Sequence, residues 1–233
     1  MTVSEVRIRP ARLIVVLVAL AFSGAILWLT RGFTFYFDEW TFILTAPDWT
    51  LATVLQPHNE HPVMLTRAIY AALLATVGLR SYLPYMAVVL ALHVASVVLL
   101  FEVVRRRSGD LAAVAAGALL LVLGAGWEDL LWAFQMQFVG SVACGLGMLL
   151  ALLGKPSRRN LIIAAALMTA ALMFSGVGLF FGVAAGVQLA ATPARRRDLA
   201  RVLPARLAPA ACFAGSRLAS CAGTRLSPGA LPT

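Results

Sequence analysis

Three short stretches hold the groups that could do chemistry. FYFDEWTFI, residues 35–43, sets Asp38 and Glu39 side by side among aromatic and aliphatic residues. PHNEHP, residues 57–62, places His58, Asn59, Glu60 and His61 between two prolines. GWEDLLWAFQMQF, residues 126–138, offers Glu128 and Asp129. A positioned carboxylate can take the proton of a hydroxyl, and the planar guanidinium of Arg67 or Arg80 can grip a phosphate through two parallel hydrogen bonds. Asp38, Glu39, Glu128 and Asp129 are therefore the candidate catalytic groups, and His58, Glu60, His61, Arg67 and Arg80 the candidate substrate-binding set. Each has a plainer reading. Asp38-Glu39 could cap a short helix, Glu128-Asp129 could start one at an interfacial Trp127, and Gln135 and Gln137 could be wet loop residues. His-x-Glu-His does not match the spacing of zinc-binding helices. A hydrogen-bonded loop suits it better; no metal ligand set is assigned, no cofactor is specified, and divalent-metal dependence stays open.

The elements around these groups must be helices in a membrane. The chain has 233 residues, of which 61% are hydrophobic and 12% charged, well beyond the roughly half apolar content of soluble domains. Apolar blocks run over 13–30, 63–79, 84–104, 111–126, 138–153 and 161–191. Several reach the roughly 17–25 residues that a spanning helix needs. Their unalternating pattern predicts helices, not a lipid-facing barrel. The net charge of +9 comes from clusters lying between these blocks: Arg7/Arg9/Arg12, Arg105–Arg107, Lys155/Arg158/Arg159 and Arg195–Arg197 with Arg201. Such spacing reads as orientation signals and argues against nucleic acid as a partner. The first block lacks a signal-peptide cleavage pattern at its end, so it reads as an uncleaved anchor.

If every block crossed, two basic clusters would face outside, against the positive-inside rule. If 63–79 does not cross, every cluster falls on the cytoplasmic side. Tryptophans and tyrosines then gather at the outer interface, and Arg67 avoids the bilayer centre, where insertion scales put the cost at ~2.5–3.5 kcal/mol. Segment 62–79, with Pro62 at a first helical position and Thr66, Arg67 and Tyr70 sharing a polar side, reads as an outer juxtamembrane helix. Spans are expected over 13–30, 84–104, 111–126 and 138–153, with a hairpin across 161–191 broken near Ser175-Gly176. The fold class is thus an all-α polytopic membrane protein with about six transmembrane helices. Its N-terminus is cytoplasmic in a plasma membrane, and Asp38, Glu39, Asp48, Glu60, Glu128 and Asp129 face outside. His93, mid-span, is either an interhelical hydrogen-bonder or a functional group. Cys144, Cys212 and Cys221 match no metal or disulfide spacing.

The domain division is a transmembrane module over 1–191 and a basic, low-complexity tail over 192–233. The tail lacks Ile, Met, Trp and Tyr and reads as disordered or as the product of a shifted frame, with the module the first part of a longer protein.

A first helix, an outer loop carrying FDEW, a His-Pro start to an amphipathic helix and then alternating spans resemble the N-terminal module of type C glycosyltransferases. The resemblance covers about residues 10–190. FDEW, PHNEHP and GWEDLLWAFQMQF look especially like actinobacterial multi-pass proteins assigned to that class. Such enzymes use polyprenyl-phosphate-linked sugars, as protein O-mannosyltransferases and aminoarabinose transferases do. The resemblance implies a polyprenyl-phosphate sugar donor and membrane lipid as partners. It gives Asp38, or Glu39, the base role in the first outer loop, with Glu128 and Asp129 assisting. The sequence departs from the pattern at His61-Pro62-Val63, where Pro-Pro-Leu usually follows the histidine, and it carries no later helices. A transporter subunit and a non-catalytic membrane scaffold are the rival functions. A transporter would place ionisable residues within its spans, which hold almost none beyond His93.

Overall fold

A computed structural model describes residues 10–122, 126–154 and 157–191. The expectations for the tail, and for Arg7, Arg9, Lys155, Arg195–Arg197 and Arg201, lie outside the described residues. Among those residues the chain is helical throughout, apart from one bridge between His58 and His61. The helices are α1 (Pro10–Leu29), α2 (Asp38–Thr45), α3 (Leu51–Val54), α4 (Met64–Thr76), α5 (Leu83–Ser108) and α6 (Asp110–Val122). They continue with α7 (Glu128–Leu131), α8 (Met136–Leu153), α9 (Arg158–Phe174) and α10 (Gly178–Ala191). Single 3₁₀ turns at Ala46–Asp48 and Ala133–Gln135 join neighbours.

Local chemistry sets several boundaries. Pro84 sits in the first turn of α5, where its missing N–H costs nothing. The helix ends at Gly109, whose φ of 87° suits glycine, after Arg105, Arg106 and Arg107 have faced its negative terminus. The Ser157 side chain caps α9 by accepting from the Asn160 N–H at 3.1 Å.

Three stretches, Pro10–Leu29, Leu83–Ser108 and Ala133–Leu153, are long and apolar enough to cross a membrane. Exposed Leu13, Ile14, Leu17 and Val18 on α1 fit a lipid-facing side better than a watery one. The chain is an all-helical membrane protein. The expectation of about six spans meets a difference in length at α9, which has 17 residues. At 1.5 Å per residue it runs about 26 Å, below the hydrocarbon thickness of about 30 Å, while α6 and α10 are described as far as Val122 and Ala191.

Helix directions alternate. Arg12 at the start of α1 lies 3.4 Å from Glu102 near the end of α5, and Glu102 also pairs with Arg105 at 2.7 Å. Arg107, Leu153 and Ala191 line one groove, so α5, α8 and α10 finish together. This is the basic end of the bundle. Helices α2, α3, α4 and α7 gather at the other, the loop end. Within the bundle, Val15, Ala19, Val97, Phe101, Ala113 and Leu121 join α1, α5 and α6. Met148, Ala164 and Ala185 join α8, α9 and α10.

Both flanks of α4 stay at the loop end. His61, before it, meets Ser175 at the α9–α10 break, and Gly78, after it, accepts from the Tyr85 hydroxyl at 3.1 Å. That is the arrangement expected of a non-crossing 63–79 segment. The helix starts at Met64 with Val63 as its cap, so Pro62 precedes it and does not occupy its first turn. Thr66, Arg67 and Tyr70 do share one side, but that side is buried. The 161–191 block breaks where expected, between Phe174 and Gly178.

Candidate functional site

Glu39 is the hub of the loop end. Asp38 and Glu39 occupy the first turn of α2, with Phe37 and not either acid as its cap residue, and they point to different surroundings. Phe37, just before, holds φ at 48°, a strained value for a bulky residue. Beyond that kink Glu39 is 0% exposed. Its Oε1 accepts from the Tyr70 hydroxyl at 2.5 Å and the Tyr82 hydroxyl at 3.0 Å, and its Oε2 from the Tyr36 N–H at 2.8 Å. The Tyr82 oxygen in turn accepts the Ala133 N–H at 2.8 Å. One carboxylate thus ties α2, α4, the start of α5 and the segment after α7. Burial pushes the Glu39 carboxyl above its ordinary range, and the Tyr70, Tyr36 and Tyr82 hydrogen bonds pull it only part of the way back. Burial first, and the nearby Glu39 charge second, raise both the Tyr70 and Tyr82 hydroxyls, so both remain donors.

Asp38 lies on the open side of the same turn. Its Oδ2 accepts from the Asn59 amide at 3.1 Å and stands 3.6 Å from His58 Nε2. The partners come from a two-residue turn. His58 and His61 exchange both backbone hydrogen bonds, at 2.9 and 3.0 Å, while Asn59 and Glu60 hold φ of 47° and 66°. Two consecutive positive φ values make this a type I′ turn. The His58 ring is wedged edge-on against Phe42 and Phe134, with centroids 5.3 and 5.4 Å away. Its Nε2 is shielded from solvent with Asp38 as its nearest acid. Glu60 is exposed at the tip. His61 points elsewhere: Nδ1 is 3.3 Å from Ser175 Oγ, and the ring packs on Phe138.

The two candidate cations separate. Arg67 is 9% exposed, donates to the Thr53 carbonyl and lies over the Phe42 ring at 5.2 Å, with Nε unpartnered. Burial lowers its pKa, though a guanidinium stays charged. Arg80 is exposed in the α4–α5 link. Glu128 and Asp129 open α7. Burial raises the Asp129 carboxyl, helped by the neighbouring Glu128 charge. Asp129 borders a small chamber of ≈ 120 Å³ with His93, Ser96 and Phe138. His93 Nε2 sits 3.1 Å from the Leu121 carbonyl, the interhelical bond of its plainer reading. Gln137 is buried, not a wet loop residue, and its Oε1 is unpartnered.

Between the first loop and α7 opens a cleft of ≈ 680 Å³. Gly32, Phe33, Thr34, Tyr36 and Phe37 form one wall, and Tyr82, Trp127, Glu128, Leu131 and Trp132 the other. Of the sequence-derived candidates only Glu128 lines it. Among the described residues no three His, Cys, Asp or Glu side chains converge to hold an ion. Reasoning from sequence missed Tyr70 and Tyr82 as the partners of Glu39. Tyr70 carried a signal, since it shares the polar side of its helix with Thr66 and Arg67. Comparison with protein-family models, with curated proteins and with solved structures finds no match to the chain.

Proposed function

We propose that the loop end of this bundle transfers a sugar from a polyprenyl-phosphate donor to an acceptor hydroxyl at the outer face of the cell membrane. The observation that supports the reading is the division of labour between adjacent carboxylates. Glu39 is buried with both oxygens occupied, so it positions the loop. Asp38 is presented beside it, oriented by Asn59 and flanked by His58. A general base needs this second arrangement: reach to a reactant, and neighbours that fix its direction. In the reaction Asp38 takes the acceptor hydroxyl proton, and the acceptor oxygen attacks the anomeric carbon. The bond from that carbon to the phosphate oxygen breaks, and the polyprenyl phosphate leaves. Of the two candidate cations, Arg80 is exposed at the same end and available to the phosphate, whereas Arg67 is committed to Thr53 and Phe42. Glu128 and Asp129, in the first turn of α7, are the second acidic group.

The test uses the chain reconstituted in liposomes with a radiolabelled polyprenyl-phosphate hexose and a hydroxyl acceptor. Transfer is expected, and Asp38→Asn should lower turnover about 10²–10⁴-fold without changing helical content. Transfer by Asp38→Asn at the rate of the unaltered protein would move the base elsewhere. Absence of both transfer and donor binding would end the glycosyltransferase reading.

A further inference from the structure

The aromatic cleft has a composition of its own, and Asp38 is not among the residues that line it. Tyr36, Phe37 and Trp132 stand around one another, with ring centroids 6.0, 5.9 and 6.4 Å apart and planes inclined by 34°, 69° and 60°. They present inclined faces instead of a flat stack. Phe33 and Trp127 extend the wall, and Glu128 supplies a carboxylate. Among the described residues no Lys or Arg lines the cleft. Arg31, next to its Gly32 edge, is turned away: its guanidinium lies over the Trp28 ring at 4.2 Å and donates to the Trp28 carbonyl at 2.6 Å.

Charge decides which ligand this suits. Ring faces carry negative quadrupole potential, and with Glu128 they favour a cation and repel a phosphate. The Tyr82 hydroxyl is already engaged by Glu39 and Ala133. That leaves the Tyr36 and Thr34 hydroxyls, the Trp127 and Trp132 indole N–H groups and Glu128 as polar side chains for a ligand, a set in which the one charge is negative and suits an alkylated ammonium. Depth points the same way. Tyr36, Phe37 and Trp127 remain 66%, 68% and 57% exposed at the loop end, in the manner of side chains that sit among lipid headgroups.

We propose that this cleft binds an organic ammonium group through the faces of Tyr36, Phe37 and Trp132 and the Glu128 carboxylate. Two sources present that chemistry at this depth: the headgroup of a zwitterionic phospholipid, and a free ammonium solute. The site shares Glu128 with the proposed transfer reaction but goes beyond that reaction and does not depend on it.

The protein in maltoside micelles, which contain no ammonium, is titrated by tryptophan fluorescence. Choline is compared with 3,3-dimethylbutan-1-ol, which has the same shape without the charge. Choline should give a saturable change at a concentration about tenfold or more below any response to the neutral isostere. Glu128→Gln and Tyr36→Leu should each weaken choline binding several-fold with unchanged helical circular dichroism, and Asp48→Asn, an exposed carboxylate off the cleft, should not. Displacement of choline by phosphatidylcholine but not by phosphatidylglycerol assigns the headgroup as the source; displacement by neither assigns the free solute. Equal responses to choline and the isostere, or no saturable response to choline, overturn the site. Donor-sugar transfer is scored separately, so failure here leaves that measurement standing.

Discussion

Replacing Glu39 in two ways separates its charge from its hydrogen bonding. Glu39→Ala leaves the Tyr70 and Tyr82 hydroxyls and the Tyr36 N–H without an acceptor in a buried place. Each such orphan costs about 1–3 kcal/mol, so a large drop in thermal midpoint is expected in detergent. Glu39→Gln keeps one acceptor and should melt between the alanine variant and the parent. The charge itself is read from pH. Because burial raises this carboxyl, the folded state holds its proton more tightly than the unfolded chain does. Its contribution is therefore full below the ordinary carboxylate pKa and is lost as pH rises through the raised folded value. Melting followed upward from about pH 4 should show that loss in the parent and a flatter profile in Glu39→Gln; parallel profiles would refute the assignment. The sequence marked Asp38-Glu39 as a unit. It could not say which of the two is buried, because the burial is made by tyrosines 31 and 43 positions away.

Helix α4 carries the argument about sidedness. Cysteines placed at Glu60 and Leu79, both exposed and flanking it, should react with an impermeant maleimide from one face of a sealed membrane. One at Ser108, after the arginine cluster, should react only from the opposite face. Labelling of Glu60→Cys and Leu79→Cys from different faces would mean that α4 crosses. That both flanks of this segment lie at one end of the bundle agrees with the charge balance of the sequence, and the α9–α10 break was legible because Ser175-Gly176 interrupts an overlong apolar block. The count of spans was less so. A block's apolar length says how far a helix could run, while α9 runs shorter than the bilayer core. The start of α4 was misplaced for a related reason: the type I′ turn at His58–His61 uses Pro62 on its way out.

Packing across the whole bundle rests on a few close approaches. A Cβ at Gly178 would come within 2.8–3.0 Å of the Ala171 and Leu172 backbone, which cannot step aside. One at Gly145 would fall 2.2 Å from the Phe181 ring, while one at Gly186 would meet nothing within 4 Å. Gly178→Ala should therefore destabilise by about 1–3 kcal/mol or more, and Gly186→Ala should be neutral or slightly stabilising. Equal melting of the two variants would show that the elbow is not the close joint described. Small residues in α8 and α10 were visible in the sequence, but not which of them touch, since that depends on how the helices rotate against one another. The contact of His61 with Ser175 brings a different consequence, one of time. The two residues are 114 positions apart, and ribosomes add roughly 5–20 residues per second. At the fast end of that range, at least several seconds pass between synthesis of the turn beside Asp38 and synthesis of its anchor. Through that interval the first loop stands in the membrane half-built. A nascent chain stalled short of Ser175 should leave the His58–His61 turn without its anchor and more readily cut there than in the finished protein.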